Sequence, residues 1–441
     1  METIARVEVL VVGSGSAGST AAIAAARGGA STMVIEKQAF LGGTSTAVLD
    51  TFYGFWTPGG APRKVVGGIG DEVVEALRRL GPVIERPNTY GAGTGVTYHP
   101  DHLKVAWERL VPEAGARVML HAFVQDAVVR AGRIEGVVVA TKAGLRRIEA
   151  EVVIDASGDA DVCAFSGVPT ELAGELEPAQ TLTTTFRMAN VDLDRRRTID
   201  RATFHALMTE AAESGAYDLP RREGSDHATP VPGVTATIMT RLVASATSLD
   251  GRTINATDPD FLSGAEMAGR RQALEYVRFL VDRVPGYERA SLVAFGTQLG
   301  VRETRRIYGD HRLTRDEVLA AQQFDDQVAL CGAPIEDHRS GTDTRWRYLP
   351  EGRAVGIPYR TLLPLGVEGL LVAGRCFSAT HDAHASVRSM AQCMAMGQAA
   401  GTAAALAVGA GVPPRDVHLG RLLERLRNDG AILSMEEAAV A

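Results

Sequence analysis

The chain has only four cysteines in 441 residues, Cys163, Cys331, Cys376 and Cys393, and no two stand in CxxC spacing. That argues against zinc, iron–sulfur and dithiol redox sites, so no metal and four reduced thiols are expected. A basic excess is lacking too: the net charge is −7 and the pI about 5.9, which argues against nucleic acid as a partner. No leader with a cleavage region precedes the first apolar run, so a cytoplasmic location is expected. Charge is absent from Ser389 to Val412, a stretch long enough to span a bilayer. It is made of Ala, Gly, Met, Gln, Ser and Thr rather than Leu, Ile and Phe, so the expectation is a buried helix and no membrane partner. Within it Gly397 and Gly401 form a GxxxG step, which suits close helix packing within or between subunits. Internal repeats are also lacking. With 45% hydrophobic residues, the length suffices for a large core in two or three domains.

What is present begins at Val9–Leu10–Val11–Val12. This apolar run enters Gly13–Ser14–Gly15–Ser16–Ala17–Gly18 and then a small-residue segment, Ser19 to Arg27. Strand, glycine turn and helix are the natural reading. Gly13 permits the turn, Gly15 lets backbone approach a pyrophosphate, and Gly18 lets helix and strand pack closely. The helix N-terminus offers free N–H groups to phosphate oxygens. A second apolar run, Thr32 to Ile35, ends in Glu36, placed to accept from a ribose hydroxyl. The glycines of Gly91 to Gly95 follow Pro87–Asn88–Thr89–Tyr90, not an apolar strand, and read as a loop. NAD(P)H therefore has no dedicated domain, and electrons enter or leave through the substrate, a small carrier or oxygen.

Residues 1 to about 40 read as strand–helix–strand. Helices are expected over Asp71 to Leu80 and from Pro100 to about Ala114, the second capped by Asp101. Val118 to Ala122, Gln125 to Arg130, Arg133 to Ala140 and Leu145 to Ala150 read as short strands, with Gly132 and Gly144 at turns. Glu151 to Asp155 is an apolar strand running into Ala156–Ser157–Gly158–Asp159, and Gly369 to Val372 repeats the pattern into Ala373–Gly374–Arg375. Thr181 to Met188 and Thr235 to Thr247 alternate as longer antiparallel strands. A helical, Arg-rich piece, Asp192 to Glu213, lies between them, and a helix covers Gly264 to Val284. The expected fold class is α/β. A Rossmann-like domain with a parallel sheet is built from 1–168 and 346–412, an α+β domain with a mixed or antiparallel sheet is inserted over 169–345, and 413–441 is a C-terminal helical segment.

Several stretches resemble the FAD-dependent oxidoreductase family of the glutathione-reductase-type FAD fold, distantly related to the fumarate reductase and succinate dehydrogenase flavoproteins. They are Leu41–Gly42–Gly43–Thr44, Ile154 to Asp159, Gln298 to Arg306, Gly374 to Arg388, and the helix Met390 to Gly401. The resemblance covers most of the chain and is thinnest around residues 50–98 and 195–230. It implies FAD as cofactor. The implied contacts are Gly13, Gly15, Ser16, Ala17, Gly18, Glu36, Lys37, Gly42, Gly43, Thr44, Val124, Ala156, Gly158, Asp159, Gly374, Arg375, Ser386 and Val387. A helix starting near Ser386 would aim its N-terminus at the isoalloxazine, where its dipole stabilises negative charge on reduced flavin. Relatives that attach FAD covalently do so through a histidine in the first glycine-rich loop. Ala39 to Ala47 contains none, so non-covalent FAD is expected.

Four residues are candidates for catalysis. His381 and His384 follow the second glycine strand, and histidine suits proton transfer near neutral pH. The competing readings are structural histidines fixing the turn, or a metal pair for which no third ligand declares itself. Arg302 and Arg388 suit a substrate carboxylate; a salt bridge and the FAD pyrophosphate compete for the same groups. Arg345, Arg347, His338 and Tyr359 lie where a loop could reach the cleft, and Cys376 is either a thiolate beside the flavin or a packing thiol. The expected function is dehydrogenation of a small polar metabolite, anionic or a polyol, with His381 assisting the proton. The alternatives are a reductase of an activated C=C bond and a non-catalytic flavin redox sensor. A small-molecule substrate, an open choice of electron acceptor and a homo-oligomer complete the expectations.

Overall fold

The computed structural model describes residues 1–88, 91–339 and 344–438. Its centre is the first strand, Glu2–Val12, whose last four residues are buried because apolar side chains occupy both faces. It pairs in parallel with Thr32–Ile35 on one side and with Gly144–Asp155 on the other. Arg117–Met119 extends the sheet beyond Thr32–Ile35, and Leu370–Val372 joins in parallel at the far end of Gly144–Asp155. Segments more than 200 residues apart thus share one sheet, as the two apolar runs into glycine suggest. The first half of Gly144–Asp155 pairs antiparallel with Arg133–Thr141, and that strand with Phe123–Arg130. The whole is a seven-stranded mixed sheet in an α/β fold. Leu145 to Asp155 was expected as two strands; it is one, because no turn residue interrupts it.

The uncharged helix Met390–Ala410 packs against the first helix, Ser16–Arg27. A Cβ at Gly397 would sit 2.1 Å from the Ala17 carbonyl oxygen, and one at Gly401 would sit 2.2 Å from that of Ala21. The GxxxG step therefore serves packing within the chain. Among the described residues this helix is the one long and apolar enough to cross a membrane, and 72% of its apolar window is buried inside the protein. The expected start near Ser386 is displaced. His381–Val387 is a separate short helix, Arg388 ends it, and extended Ser389 (ψ 149°) caps the helix that begins at Met390.

A second sheet is antiparallel, in the order Ser225–Ala228, Thr235–Ile238, Phe186–Ala189, Ser291–Phe295. Helices Arg201–Glu213 and Pro259–Arg283 pack with it around Phe186, Met188, Phe204, Met208, Tyr276 and Phe279. The strands here are shorter than expected. Thr181 to Thr185 keeps only single bridges, Leu182 with Leu242 and Thr183 with Gly300, and at the next residue a hydroxyl takes the backbone donor: Thr240 Oγ1 accepts from the Thr184 N–H at 2.7 Å. Thr235 to Thr247 breaks over Met239 to Ala244 into Thr235–Ile238 and Ser245–Thr247. The Arg-rich helical piece also divides, because Asp200 caps a new helix by accepting from the Thr203 N–H.

Candidate functional site

A cleft of about 320 Å³ runs from the glycine turn after the first strand to the antiparallel sheet. At its first end the turn is fixed by backbone contact. Gly13 has φ +89°, and a Cβ there would lie 2.6 Å from the Ala156 carbonyl oxygen. A Cβ at Gly18 would lie 1.8 Å from the Gly13 oxygen. A Cβ at Gly15 would meet nothing within 4 Å, and Gly15 lines the cleft. It caps the first helix without a side-chain hydrogen bond, and the first turn carries no acid. The first N–H groups of that helix are left for an anion. Glu36 lies on the same wall and organises it: Oε2 accepts from Ser14 N–H (2.9 Å) and Ser14 Oγ (2.7 Å), and Oε1 from Gln38 N–H (2.9 Å). Oε1 keeps acceptor capacity for a ribose hydroxyl.

Mid-cleft, Arg375 donates from Nη2 to Asp159 Oδ1 at 2.9 Å, while its Nη1 is buried and unpartnered. Burial disfavours the Asp159 charge, but Arg375 and Lys37 outweigh it and hold the carboxyl below its usual value. The orphaned donor of Arg375, the bare Gly15 and the uncapped helix fit a bound phosphate-bearing cofactor. At the other end stand Arg302, Arg388, Arg221, Glu336 and His338. Arg302 donates from Nη1 to Thr181 O (2.6 Å) and Thr183 Oγ1 (2.7 Å). Arg388 donates from Nη2 to Gln180 Oε1 (2.9 Å), and its Nε is buried with no partner. Burial and then mutual repulsion with Arg388 and Arg221 push Arg302 well below its ordinary range. Burial also opposes the Glu336 charge, but His338, Arg388 and Arg302 hold that carboxyl down at about 2. Burial and Arg302 push the His338 pKa well down, and its Nε2 lies 2.8 Å from Glu336 Oε1.

Residues 8–427 match the family described as FAD dependent oxidoreductase. The chain belongs to that family. FAD is its cofactor, in keeping with the phosphate-ready turn and the unpartnered Arg375 donor. This oxidoreductase is 33% identical over 167 residues to a thiamine thiazole synthase from Methanococcus vannielii, covering 35% of this chain and 58% of that protein. It is 42% identical over 85 residues to the 4-oxocyclohex-2-ene-1-carboxylate 5-dehydrogenase of Sinomonas cyclohexanicum, covering 19% of this chain and 13% of that one. Among solved structures, p-nitrophenol 4-monooxygenase from Pseudomonas putida superposes with a TM-score of 0.47 at 12% identity, over 97% of this chain and 84% of that one.

Most of the expected contacts line the cleft: Gly13, Gly15, Ser16, Ala17, Glu36, Lys37, Gly43, Thr44, Val124, Ala156, Gly158, Asp159, Gly374 and Arg375. Gly18 and Gly42 do not; Gly18 sits behind the wall, against the turn, and a Cβ at Gly42 would strike Thr46. Ser386 and Val387 also need correcting. Ser386 donates to Ala333 O at 2.6 Å and Val387 is in the apolar core, while Arg388, Ser389, Met390 and Cys393 take their places on the wall. Arg302 and Arg388 are on the wall, but His381 and His384 are not. His381 is buried with both ring nitrogens on carboxylates, Glu303 at 3.0 Å and Asp337 at 3.1 Å. Burial lowers its pKa, yet those two hydrogen bonds outweigh burial and raise it to about 10. With both nitrogens on carboxylates and the ring protonated at neutral pH, His381 has no free lone pair to take a substrate proton; the carboxylates of Glu177 and Asp382 lie beside it as well. His384 uses Nε2 on the Arg375 carbonyl at 2.8 Å, and its Nδ1 is sealed from solvent.

Of the other candidates only His338 reaches the cleft. Tyr359 is buried, donating to Pro414 O at 2.8 Å, and Arg345 and Arg347 are exposed on the strand Arg345–Arg347. Cys376 is fully buried, and burial followed by the nearby Asp155 charge raises its thiol, so it packs as a neutral group. Arg221, Glu336 and His227 on the cleft wall have no counterpart in the sequence reading. The one local signal is alternation: Ser225 and His227 share a face of their strand, and both line the cleft.

Proposed function

We propose that this FAD-dependent oxidoreductase dehydrogenates a small anionic metabolite whose acid group is held at the arginine end of the cleft. Arg388 carries this reading, because its Nε is buried, makes no hydrogen bond and belongs to a residue on the cleft wall. A guanidinium N–H so placed calls for a strong acceptor, and a carboxylate presents two oxygens. Arg302 and Arg221 add positive charge on the same wall, which favours an anion over a neutral polyol. The name of the Sinomonas relative, a dehydrogenase of a ring carboxylate, is in keeping with an acid substrate. FAD, when bound, supplies the two-electron acceptor for a substrate hydride. The chain's own residues then have three tasks: to orient the acid, to keep the reacting carbon dry, and to take one proton. The antiparallel layer, which contributes Ser225 and His227 to the cleft wall, serves as the substrate side of the inserted segment 169–345.

The test is anaerobic mixing of the holoprotein with separate pools of hydroxy acids, neutral sugars and amines, followed by visible absorbance. Bleaching by the acid pool is expected. Replacing Arg388→Met should leave FAD content unchanged and weaken use of the acid about 10- to 100-fold, the effect of about 1.5–3 kcal/mol for a charged hydrogen bond. Bleaching by neutral sugars or amines alone, or indifference to Arg388→Met, overturns the reading. A protein that never bleaches but, once reduced chemically, is reoxidised by an enoate runs the opposite reaction.

A further inference from the structure

We propose that His227, oriented by buried Asp50, is the residue that takes the substrate's hydroxyl proton; this rests on the dehydrogenase reading above. The cleft wall holds two histidines, His227 and His338. His338 has both nitrogens engaged, Nε2 on Glu336 at 2.8 Å and Nδ1 on Thr344 Oγ1 at 3.0 Å. His227 has one engaged: Nε2 donates to Asp50 Oδ1 at 2.9 Å, and Nδ1 has no hydrogen-bond partner among the described residues. A carboxylate on Nε2–H fixes the tautomer in which Nδ1 carries a free lone pair, and stabilises the imidazolium formed on protonation. Nδ1 is therefore the available basic imidazole nitrogen on this wall.

The scaffold supports that assignment. Asp50 and His227 are both nearly enclosed, with side chains 5% and 8% exposed. Burial disfavours the Asp50 charge, but the contact with His227 outweighs it, assisted by Arg187 and Arg86, and the carboxyl lies below its usual value. Its second oxygen, Oδ2, has no partner, and a small cavity of about 10 Å³ lies against Asp50, His227 and Thr237. That space is close to what one water needs, and a water there would complete the carboxylate. The charged and titratable groups facing the pair are Arg86, Arg187, Tyr53 and Tyr98. Asp226, next along the strand, points to the other face, where Arg196 and Tyr287 hold it. It therefore does not compete with Asp50 for His227.

The step balances. The substrate O–H bond breaks and its proton goes to His227 Nδ1. The C–H bond breaks with its electron pair, which leaves as hydride to FAD. The carbon–oxygen bond becomes double, so the substrate loses two electrons and FAD gains them. His227 is the catalytic base, and Asp50 is a positioning residue.

The experiment compares wild type, His227→Gln and Asp50→Asn as FAD-loaded proteins, by anaerobic bleaching across pH and by ¹⁵N spectra of the histidine rings. In wild type, the bleaching rate should rise with pH along a single limb, and His227 should show an unprotonated Nδ1. His227→Gln should bind FAD normally, bleach at least about 100-fold more slowly and lose the limb. Asp50→Asn should slow bleaching and change the His227 ring tautomer. A His227→Gln protein that bleaches at the wild-type rate with the limb intact overturns the base while leaving the dehydrogenase reading standing. A wild-type protein that no hydroxy compound bleaches overturns that reading and the base's role with it. A protonated Nδ1 in wild type overturns the base on its own.

Discussion

Gly18→Ala is expected to give a folded chain that purifies with little or no FAD. The added methyl would stand 1.8 Å from the Gly13 carbonyl oxygen and 2.8 Å from its carbonyl carbon. Both are backbone atoms, so no side-chain rotation relieves the clash. Gly13 cannot retreat either, because its own Cα faces the Ala156 carbonyl, where even a Cβ would lie at 2.6 Å. The turn must open or the first helix must move, and the helix is braced by Met390–Ala410 through the Gly397 and Gly401 contacts. Phosphate recognition by helix N–H groups depends on their placement, and a displaced turn forfeits it. Weakening of FAD binding by at least about 100-fold, close to 3 kcal/mol, is the expected size. Flavin content on purification and reconstitution by titration measure it. Gly264→Ala is the matched control: a Cβ there meets nothing within 4 Å, and helix propensity favours alanine. If Gly18→Ala holds FAD as wild type does, the turn is not the phosphate site.

The parts of this site that could be read from sequence are those whose chemistry is local. A strand, three glycines and a following acid lie within about thirty residues, and Gly18 answers a backbone demand inside that unit, its close approach to Gly13, while Gly13 turns at positive φ against Ala156 of the neighbouring strand end. Gly374 and Arg375 are legible for the same reason, since they repeat strand-into-glycine at the adjacent strand. The substrate end is different. Asp50, Arg221, His227, Arg302, Glu336 and Arg388 come from five places in the chain and meet only in the fold, Asp50 through its hydrogen bond to His227. Neither periodicity nor spacing links Asp50 to a histidine 177 residues away. His381 shows the cost of reading such a group alone. Its place after the glycine strand suggests a base, but Glu303 and Asp337, 78 and 44 residues distant, turn it into a fixed cation. The threonine-rich stretch 181–185 misleads in another way, since alternation predicts a continuous strand where only single bridges form and the Thr240 hydroxyl takes the Thr184 N–H.

His381→Leu is expected to destabilise the fold by about 3 kcal/mol or more at neutral pH, while the variant, once folded, keeps its FAD. Removing one partner of a buried ion pair leaves charge uncompensated, which is the costly case. Here the ring lies between two carboxylates. Glu303 keeps Arg306 Nη1 at 2.7 Å and Asp337 keeps Arg339, but each loses its hydrogen bond to the imidazolium. Glu303 is sensitive to this. Burial alone would raise its pKa, and His381 leads the groups that instead hold it at about 2. The pH dependence has a definite sign. The folded-state pKa of about 10 lies above the unfolded value near 6.5, so the native state holds an extra proton in that window. The stabilisation from His381 is complete below about 6.5 and is lost as pH rises through about 10. Wild-type stability should fall across this interval by up to about 1.4 kcal/mol per pH unit more steeply than that of His381→Leu. Urea unfolding midpoints at a series of pH values measure both effects. Parallel pH profiles for the two proteins would show that His381 is not a buried cation. An undiminished midpoint with collapsed bleaching would return it to catalysis. A lower midpoint, with the bleaching rate of the folded fraction preserved, places it in the frame behind the cleft, where its charge fixes the segment that leads into Arg388.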